Sequence, residues 1–441
     1  MTAVTARTPV DLPSSALLTD HYELTMLQAS LASGTWQRRS VFELFSRRLP
    51  EGRRYGVVAG VGRALDLVER FRFDDHVLGI LDEERVVDEQ TLAWLADYEF
   101  TGDIWGYPEG EVYFPYSPLL VVESTFAEAV LLETLLLSVY NHDSAIASAG
   151  SRMTWAAQGR PCIEMGSRRT HEEAAVAAAR AAYVAGFDAT SNLAARERYQ
   201  IPTTGTSAHS FTLLHDSEED AFRAQVTSLG RGTTLLVDTY DVAEAVRLAV
   251  EVAGPELGAV RLDSGDLGVL AHQVRAQLDA LGATGTKIVV TSDLDEYAIA
   301  ALASAPVDGY GVGTQLVTGS GHPTSGFVYK LVSRADEQGR MLPVAKKSKD
   351  KASVGGRKYA LRQLSPEGVA QAEVVGIGAE PVDDGDDRSL LVPLVREGEV
   401  VGRESLDAAR QRHLTSREEL PLPARMLSKG QPVIPTVHLD S

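Results

Sequence analysis

The chain has 441 residues, and its 61 acidic against 42 basic side chains leave a formal net charge of −19. That length suits two or three domains with ample buried core, and an acidic chain without a basic arm argues against nucleic acid or an anionic membrane surface as partner. Cys162 is the only cysteine, which excludes a disulfide scaffold or a Cys-clustered metal site within one chain and fits a reducing, cytoplasmic setting.

The opening MTAVTARTPVDLPSS has no apolar core of the kind a signal peptide needs. Residues 20–32 then read as a helix with Tyr22, Leu24, Met26 and Leu27 at its apolar positions, and SVFELFSR (40–47) alternates like a strand. Helical patterns recur at 60–71 and 88–98, and 103–123, rich in glycine, proline and aromatics, reads as strands joined by turns. This is an α+β domain, placed at 1–140. Two further helices are expected at 126–140 and 144–158; the most apolar stretch, 129–140, is short and interrupted by Glu133, so no membrane span is expected.

From Pro161 the pattern changes to short apolar runs that end in polar, charged or glycine residues and are mostly followed by helices. The runs are PCIEMGSRR, FDATSN, PTTGTSAHS, TTLLVDTYD, AVRLDSGD, KIVVTSDLD and GYGVGTQLV, seven candidate strands. Helical segments between them include 172–185, 242–252 and 267–281. Strands alternating with helices imply parallel pairing, and the absence of GxGxxG after the first strand favours a closed barrel over an open dinucleotide-binding sheet. The expected fold is therefore α/β: an irregular parallel α/β barrel at 141–330, irregular because the gap between the second and third runs is too short for a good crossover helix.

Barrel strands deliver their C-terminal ends to an active site. Here those ends carry Arg168, Arg169, Ser191, His209, Asp238, Arg261, Asp263, Ser292, Asp293, Gly313 and Thr314, an inventory suited to phosphate and carboxylate ligands. Any one of them is as readily a helix cap; Asp266 in particular reads as the N-cap of the next helix. Cys162, inside a strand, reads as a small buried hydrophobe. Lys287 is the only barrel-strand lysine and stands at a strand start, which disfavours a Schiff-base enzyme.

The C-terminal region, 331–441, is expected to fold back onto the N-terminal domain. It opens with a hairpin around DEQG (327–344). Five of the chain's eight lysines follow between Lys346 and Lys358, either a clamp for polyphosphate or a solvated loop. DDGDD (383–387) reads as solvated loop, 405–419 as a helix, and the proline-rich tail as packed extended chain.

LLTDHYELTM, FELFSRRLP, EMGSRRTHEEAA, GFDATSN, GTSAHS, VDTYD, RLDSGD, TSDLDE and GVGTQLVT followed by GFVYKLV, in that order over nearly the whole chain, resemble nicotinate phosphoribosyltransferases. The resemblance implies transfer of phosphoribosyl from phosphoribosyl pyrophosphate to nicotinate in NAD salvage, with ATP hydrolysis coupled through a phosphohistidine and Mg²⁺ accompanying the polyphosphates. It maps the phosphohistidine onto His209 and nicotinate contacts onto Tyr22, Thr206 and Arg261, with Tyr22 supplied by the partner in a homodimer.

Beside it stands the chemistry of the residues. Arg261 and Arg168, with Arg169 in reserve, are forks suited to a carboxylate. Asp238 suits the orientation of His209, and Asp263 suits ribose hydroxyls or Mg²⁺-bound water. The 5′-phosphate is expected on the glycine-rich turn Gly311, Gly313 and Thr314, flanked by Ser292 and Asp293, with Arg169 nearby. Nicotinamide-using relatives place an Asp at the position of Ser191, a Phe at Met165 and a Glu at Ala208. Serine there favours the acid over the amide. The rival readings are a nicotinamide phosphoribosyltransferase and a non-catalytic phosphoribosyl-sensing relative.

Overall fold

The structure is a computed structural model and is described for residues 13–346 and 354–439. The chain divides into two compact units, Met1–Ala145 with Thr324–Ser441, and Ile146–Pro323.

The first unit joins both ends of the chain in one seven-stranded sheet. Its strand order is Met341–Pro343, Phe327–Ala335, Arg39–Ser46, Leu120–Thr125, Asp103–Gly106, Val392–Arg396, Glu399–Val400, with antiparallel neighbours throughout. The C-terminal region therefore packs on the N-terminal one by backbone pairing, with Ser46 opposite Phe327 and Ser40 opposite Arg334. Arg39–Ser46 is buried on both faces from Ser40 onward, and Phe42 stacks on Tyr329 at 4.9 Å between ring centroids. A four-stranded sheet follows, ordered Arg388–Ser389, Lys358–Leu364, Ala370–Ile377, Thr436–Leu439.

The helices His21–Ala32, Val61–Glu69 and Glu89–Ala96 lie where the sequence pattern puts them, with Asp20 and Asp88 as N-caps of the first and last. The helix Asp75–Glu83 of this unit, capped by Asp74, has no counterpart in the sequence pattern. The two helices expected at 126–140 and 144–158 are instead the short Phe126–Val130 and one unbroken helix of 24 residues, Glu133–Ala156. Asn141, His142 and Asp143 look like a break, but each has a partner. The Asn141 side-chain oxygen accepts from the Phe327 N–H at 2.8 Å, and buried Asp143 pairs with Arg63 at 2.6 Å and His142 at 2.8 Å.

The basic loop needs a correction. The Lys358 ammonium is buried against Glu43 and also donates to the Val354 carbonyl at 2.8 Å, so it serves the fold and not a polyphosphate. Lys347, Lys349 and Lys351 lie outside the described residues. DDGDD is an exposed loop except for partly covered Asp387.

The second unit carries a curled parallel sheet of six strands: β1 (Cys162–Glu164), β2 (Ala189–Thr190), β3 (Thr234–Leu236), β4 (Ala259–Leu262), β5 (Lys287–Ser292) and β6 (Gly309–Val312). Their order is β2-β1-β6-β5-β4-β3, the succession of a barrel that stays open between β2 and β3. The third run, PTTGTSAHS, is the missing stave. It makes one parallel bridge, Thr203 to Thr190, and then turns into the helix His209–Leu214. The expected irregular parallel α/β barrel is thus a curled, open half-barrel of six strands, with the third candidate run contributing a single bridge.

Asn192, Ser217, Asp241, Asp266 and Asp295 each accept a backbone N–H of the helix they precede, satisfying donors that a helix start leaves free. Asp266 is therefore the cap it reads as. Cys162 is buried and not in a disulfide. No helix among the described residues is long and apolar enough to cross a membrane.

Candidate active site

Parallel register sets the site. Arg261 on β4 stands opposite Leu236 of β3 and Val289 of β5, so the residues just beyond it, from Asp263 onward, emerge at the strands' C-terminal ends beside Asp238 and Thr291. Asp238 binds them together. Its Oδ2 accepts the Asp263 N–H and the Ser264 hydroxyl, both at 2.8 Å, and its Oδ1 lies 3.3 Å from Nε2 of His209. The Asp238 side chain is 3% exposed and that of His209 40%: a buried carboxylate supports an accessible imidazole. His209 opens a helix and does not end a strand, because the chain leaves the sheet after Thr204, whose N–H still bonds to Thr190. Asp263 accepts a hydrogen bond from the hydroxyl of buried Thr291 on β5.

Arg261 donates from Nη1 to the Thr206 hydroxyl, while its Nε is buried without a hydrogen-bond partner. Burial lowers its pKa; Asp263 and Asp238 oppose that, and neighbouring Arg168 adds to it. Two guanidiniums within each other's field, one holding an unused buried N–H, are a demand for an anion. Arg168 and Arg169 are exposed in the turn after β1, and Ser191 is exposed in the turn after β2. Ser292 and Asp293 are exposed at the end of β5.

Gly311 stands inside β6, paired with Ile163 and Thr291. A Cβ there would come within 2.5 Å of Thr291 Cγ2 and 2.8 Å of Met165 Sδ. Its lack of a side chain serves packing, and Gly313 and Thr314 of the same turn lie beyond the strand. Tyr22 lies in the first unit and is 43% exposed. Its hydroxyl is pushed up to about 12 by partial burial, then by Glu133 and Glu23, so it remains a donor at neutral pH.

Several polar residues of the half-barrel escaped the sequence reading. Glu164, Ser264 and Thr291 lie inside the candidate strand runs PCIEMGSRR, AVRLDSGD and KIVVTSDLD without being singled out there. Glu218 is 8% exposed at the start of the helix Glu218–Leu229, with Oε1 unpartnered. Its carboxyl is pushed up to about 7 by burial, then by Glu244, Asp238 and Asp241. For Glu164 and Thr291 the available signal was a polar residue in an otherwise apolar run.

An open α/β barrel presenting paired arginines and a carboxylate-supported histidine at its C-terminal rim defines an enzyme that handles small anions. Comparison with known proteins narrows the class. The model of the nicotinate phosphoribosyltransferase (NAPRTase) N-terminal domain matches residues 17–141, and that of the NAPRTase family residues 161–364. The chain is 56% identical to nicotinate phosphoribosyltransferase pncB1 of Mycobacterium tuberculosis over 97% of its own length and 96% of the relative's. It is 36% identical to the nicotinate phosphoribosyltransferase of Bacillus subtilis over 84% and 78%. The crystal structure of human nicotinic acid phosphoribosyltransferase superposes with a TM-score of 0.81 at 26% identity, covering 96% of this chain and 98% of that one. The chain belongs to the nicotinate phosphoribosyltransferase family.

Proposed function

We propose that the protein transfers the phosphoribosyl group of phosphoribosyl pyrophosphate to nicotinate, giving nicotinate mononucleotide and pyrophosphate, and couples the transfer to ATP hydrolysis through a phosphorylated His209. The observation that carries the reading is Arg261, whose buried Nε lacks a partner beside Thr206 and Arg168. A nicotinate carboxylate supplies the missing acceptor and neutralises the like charges.

The pyridine nitrogen's lone pair forms the bond to the ribose anomeric carbon as the bond to pyrophosphate oxygen breaks, its electrons leaving with pyrophosphate. No proton moves, and the product is a pyridinium. The protein's contribution is therefore positioning and charge. Arg261, Arg168, Thr206 and Ser191 hold nicotinate, and Asp263 lies where a cationic sugar or its hydroxyls are stabilised. Arg169, Ser292, Asp293, Gly313 and Thr314 receive the phosphates.

The Asp238 carboxylate is already occupied by Asp263, Ser264 and His209, whereas Asp263 spends one oxygen on Thr291. The donor set fits Mg²⁺ arriving on polyphosphate, with Asp263 as the hard oxygen ligand. When bound, the ion neutralises charge on the departing pyrophosphate.

With Nε2 facing Asp238, the N–H of a neutral His209 lies on Nε2 and the Nδ1 lone pair is free to take the γ-phosphoryl of ATP, ADP leaving with the bond electrons. The chain acts as a homodimer, with Tyr22 reaching the neighbouring subunit's site.

Incubation with ATP is expected to yield an acid-labile phosphate on the protein, visible by mass spectrometry and absent from His209→Asn. Transfer from phosphoribosyl pyrophosphate persists in that variant without the gain ATP confers. His209→Asn protein that still hydrolyses ATP in step with nucleotide formation overturns the coupling.

A further inference from the structure

Beneath the two loops that carry Arg168 and Ser191 lies a carboxylate the mechanism does not use. Glu164 ends β1 with 0% of its surface exposed. Its Oε1 accepts the Gly166 N–H, its Oε2 accepts the Thr190 hydroxyl, and its own carbonyl accepts the Ser191 N–H at 2.8 Å. Thr190 passes the link on: its hydroxyl oxygen accepts the Asn192 N–H at 2.9 Å, and the Asn192 amide donates to the Ser167 hydroxyl at 3.0 Å. The result is a closed circuit from Glu164 through Gly166 and Ser167 on one loop to Thr190, Ser191 and Asn192 on the other.

Among the described residues no cation pairs with this carboxyl; two neutral donors serve it, and burial holds it above the usual carboxylate range. Gly166 allows the close fit, since a Cβ there would lie 2.2 Å from Val317 Cγ1 and 3.1 Å from Glu164 Oε1. A buried acid costs stability unless its hydrogen bonds are complete, so an apolar residue would serve a purely packing role at lower cost.

We infer that Glu164 is a positioning residue for nicotinate selection, tying the β1 and β2 loops so that Arg168 and Ser191 meet the pyridine carboxylate in one fixed geometry. The inference rests on the nicotinate site proposed above. Two acceptor oxygens are needed, one per loop. Glu164→Gln keeps the shape but has a single acceptor, so the Gly166 N–H and the Thr190 hydroxyl can no longer both donate to it in their present geometry. Thr190→Val removes the relay and leaves the carboxylate.

Steady-state kinetics with nicotinate and with phosphoribosyl pyrophosphate as the varied substrate test this. Glu164→Gln and Thr190→Val are each expected to raise the KM for nicotinate about tenfold, with a clearly smaller rise in the KM for phosphoribosyl pyrophosphate through Arg169 on the same loop. The double variant should be no worse than the poorer single one, because both cut the same circuit. Either folded variant with an unchanged nicotinate KM, or with both KM values raised alike, overturns the inference. Should Glu164→Gln not fold, Thr190→Val alone decides. A parent enzyme that does not turn over nicotinate overturns the proposed function instead, so the two failures are distinguishable.

Discussion

Arg261 concentrates the site's electrostatic problem in one side chain. Its charge is opposed by burial and by Arg168, favoured by Asp263 and Asp238, and one of its N–H groups is unsatisfied. Truncating one partner of a buried charge pair costs about 2–5 kcal/mol, and Arg261→Ala is expected to lose that much in kcat/KM for nicotinate. Its thermal stability should hold, since removing an unsatisfied buried group relieves a cost. Parallel kinetics and thermal melts check both. Glu218 poses the converse problem. A carboxyl raised from 4.5 to about 7 by burial and by Glu244, Asp238 and Asp241 favours the folded state while protonated. That contribution is complete below the ordinary carboxylate value and is lost as pH rises through about 7. Glu218→Gln is therefore expected to raise the melting temperature at pH 8 and to change it little at pH 5, which melts at the two pH values measure. Arg261 was legible in the sequence because the arginine of RLDSGD at a strand end has few uses. Glu218 was not, because its meaning depends on neighbours from two other elements.

At the scale of elements, what was legible in the sequence was local chemistry: strand ends, caps and periodicity. Asp20, Asp88, Asp241 and Asp266 announce helices because a carboxylate meeting free backbone N–H groups is decided within four residues. What failed was decided at a distance. The helix Glu133–Ala156 runs through Asn141, His142 and Asp143 because Arg63 and Phe327 provide for them, and neither is visible from the local pattern. PTTGTSAHS has strand composition but meets only Thr190, so it forms a bridge and carries Thr206 and His209 to the site as loop and helix start. Asp143→Ala tests the distant support of the long helix. Burial would raise the Asp143 pKa, but Arg63 and His142 outweigh it and hold it below the usual value. Its contribution is thus present at neutral pH and lost as pH falls below the ordinary carboxylate range. With Arg63 partly exposed to water, Asp143→Ala is expected to cost about 1.5–3 kcal/mol at pH 7, the worth of a charged hydrogen bond, and progressively less in acid, as denaturant titrations at both pH values should show.

On the scale of the whole chain, the first unit must hold together segments separated by some 250 residues, and it does so with buried charge as well as with the seven-stranded sheet. Arg362, 0% exposed, pairs with Glu373 at 2.5 Å and Glu111 at 3.6 Å and donates to the Val112 carbonyl at 2.9 Å. Arg388 bridges Glu111 and Glu419 at 2.5 and 2.6 Å, and Ser416 and Ser117 donate to Glu111 and Glu373. The sheet alone would bring the segments into register; the charges penalise any arrangement in which they do not meet, because a buried carboxylate without its arginine is costly. Burial would raise the Glu111 pKa, yet Arg362 and Arg388 prevail and hold it below its ordinary value, so its contribution exists above the usual carboxylate range and disappears as pH falls through the depressed value. Arg362→Met keeps much of the volume and strands two carboxylates at once, for which the expected cost is about 3–5 kcal/mol near neutral pH. The penalty should shrink toward pH 5, where Glu111, without Arg362, can take up a proton that the parent's ion pair excludes, and where Glu373, pushed up to about 7 by burial, is protonated in parent and variant alike. Denaturant unfolding of parent and variant at pH 8 and pH 5 measures the difference. A variant as stable as the parent at pH 8 would mean that the sheet alone holds the two ends of the chain together.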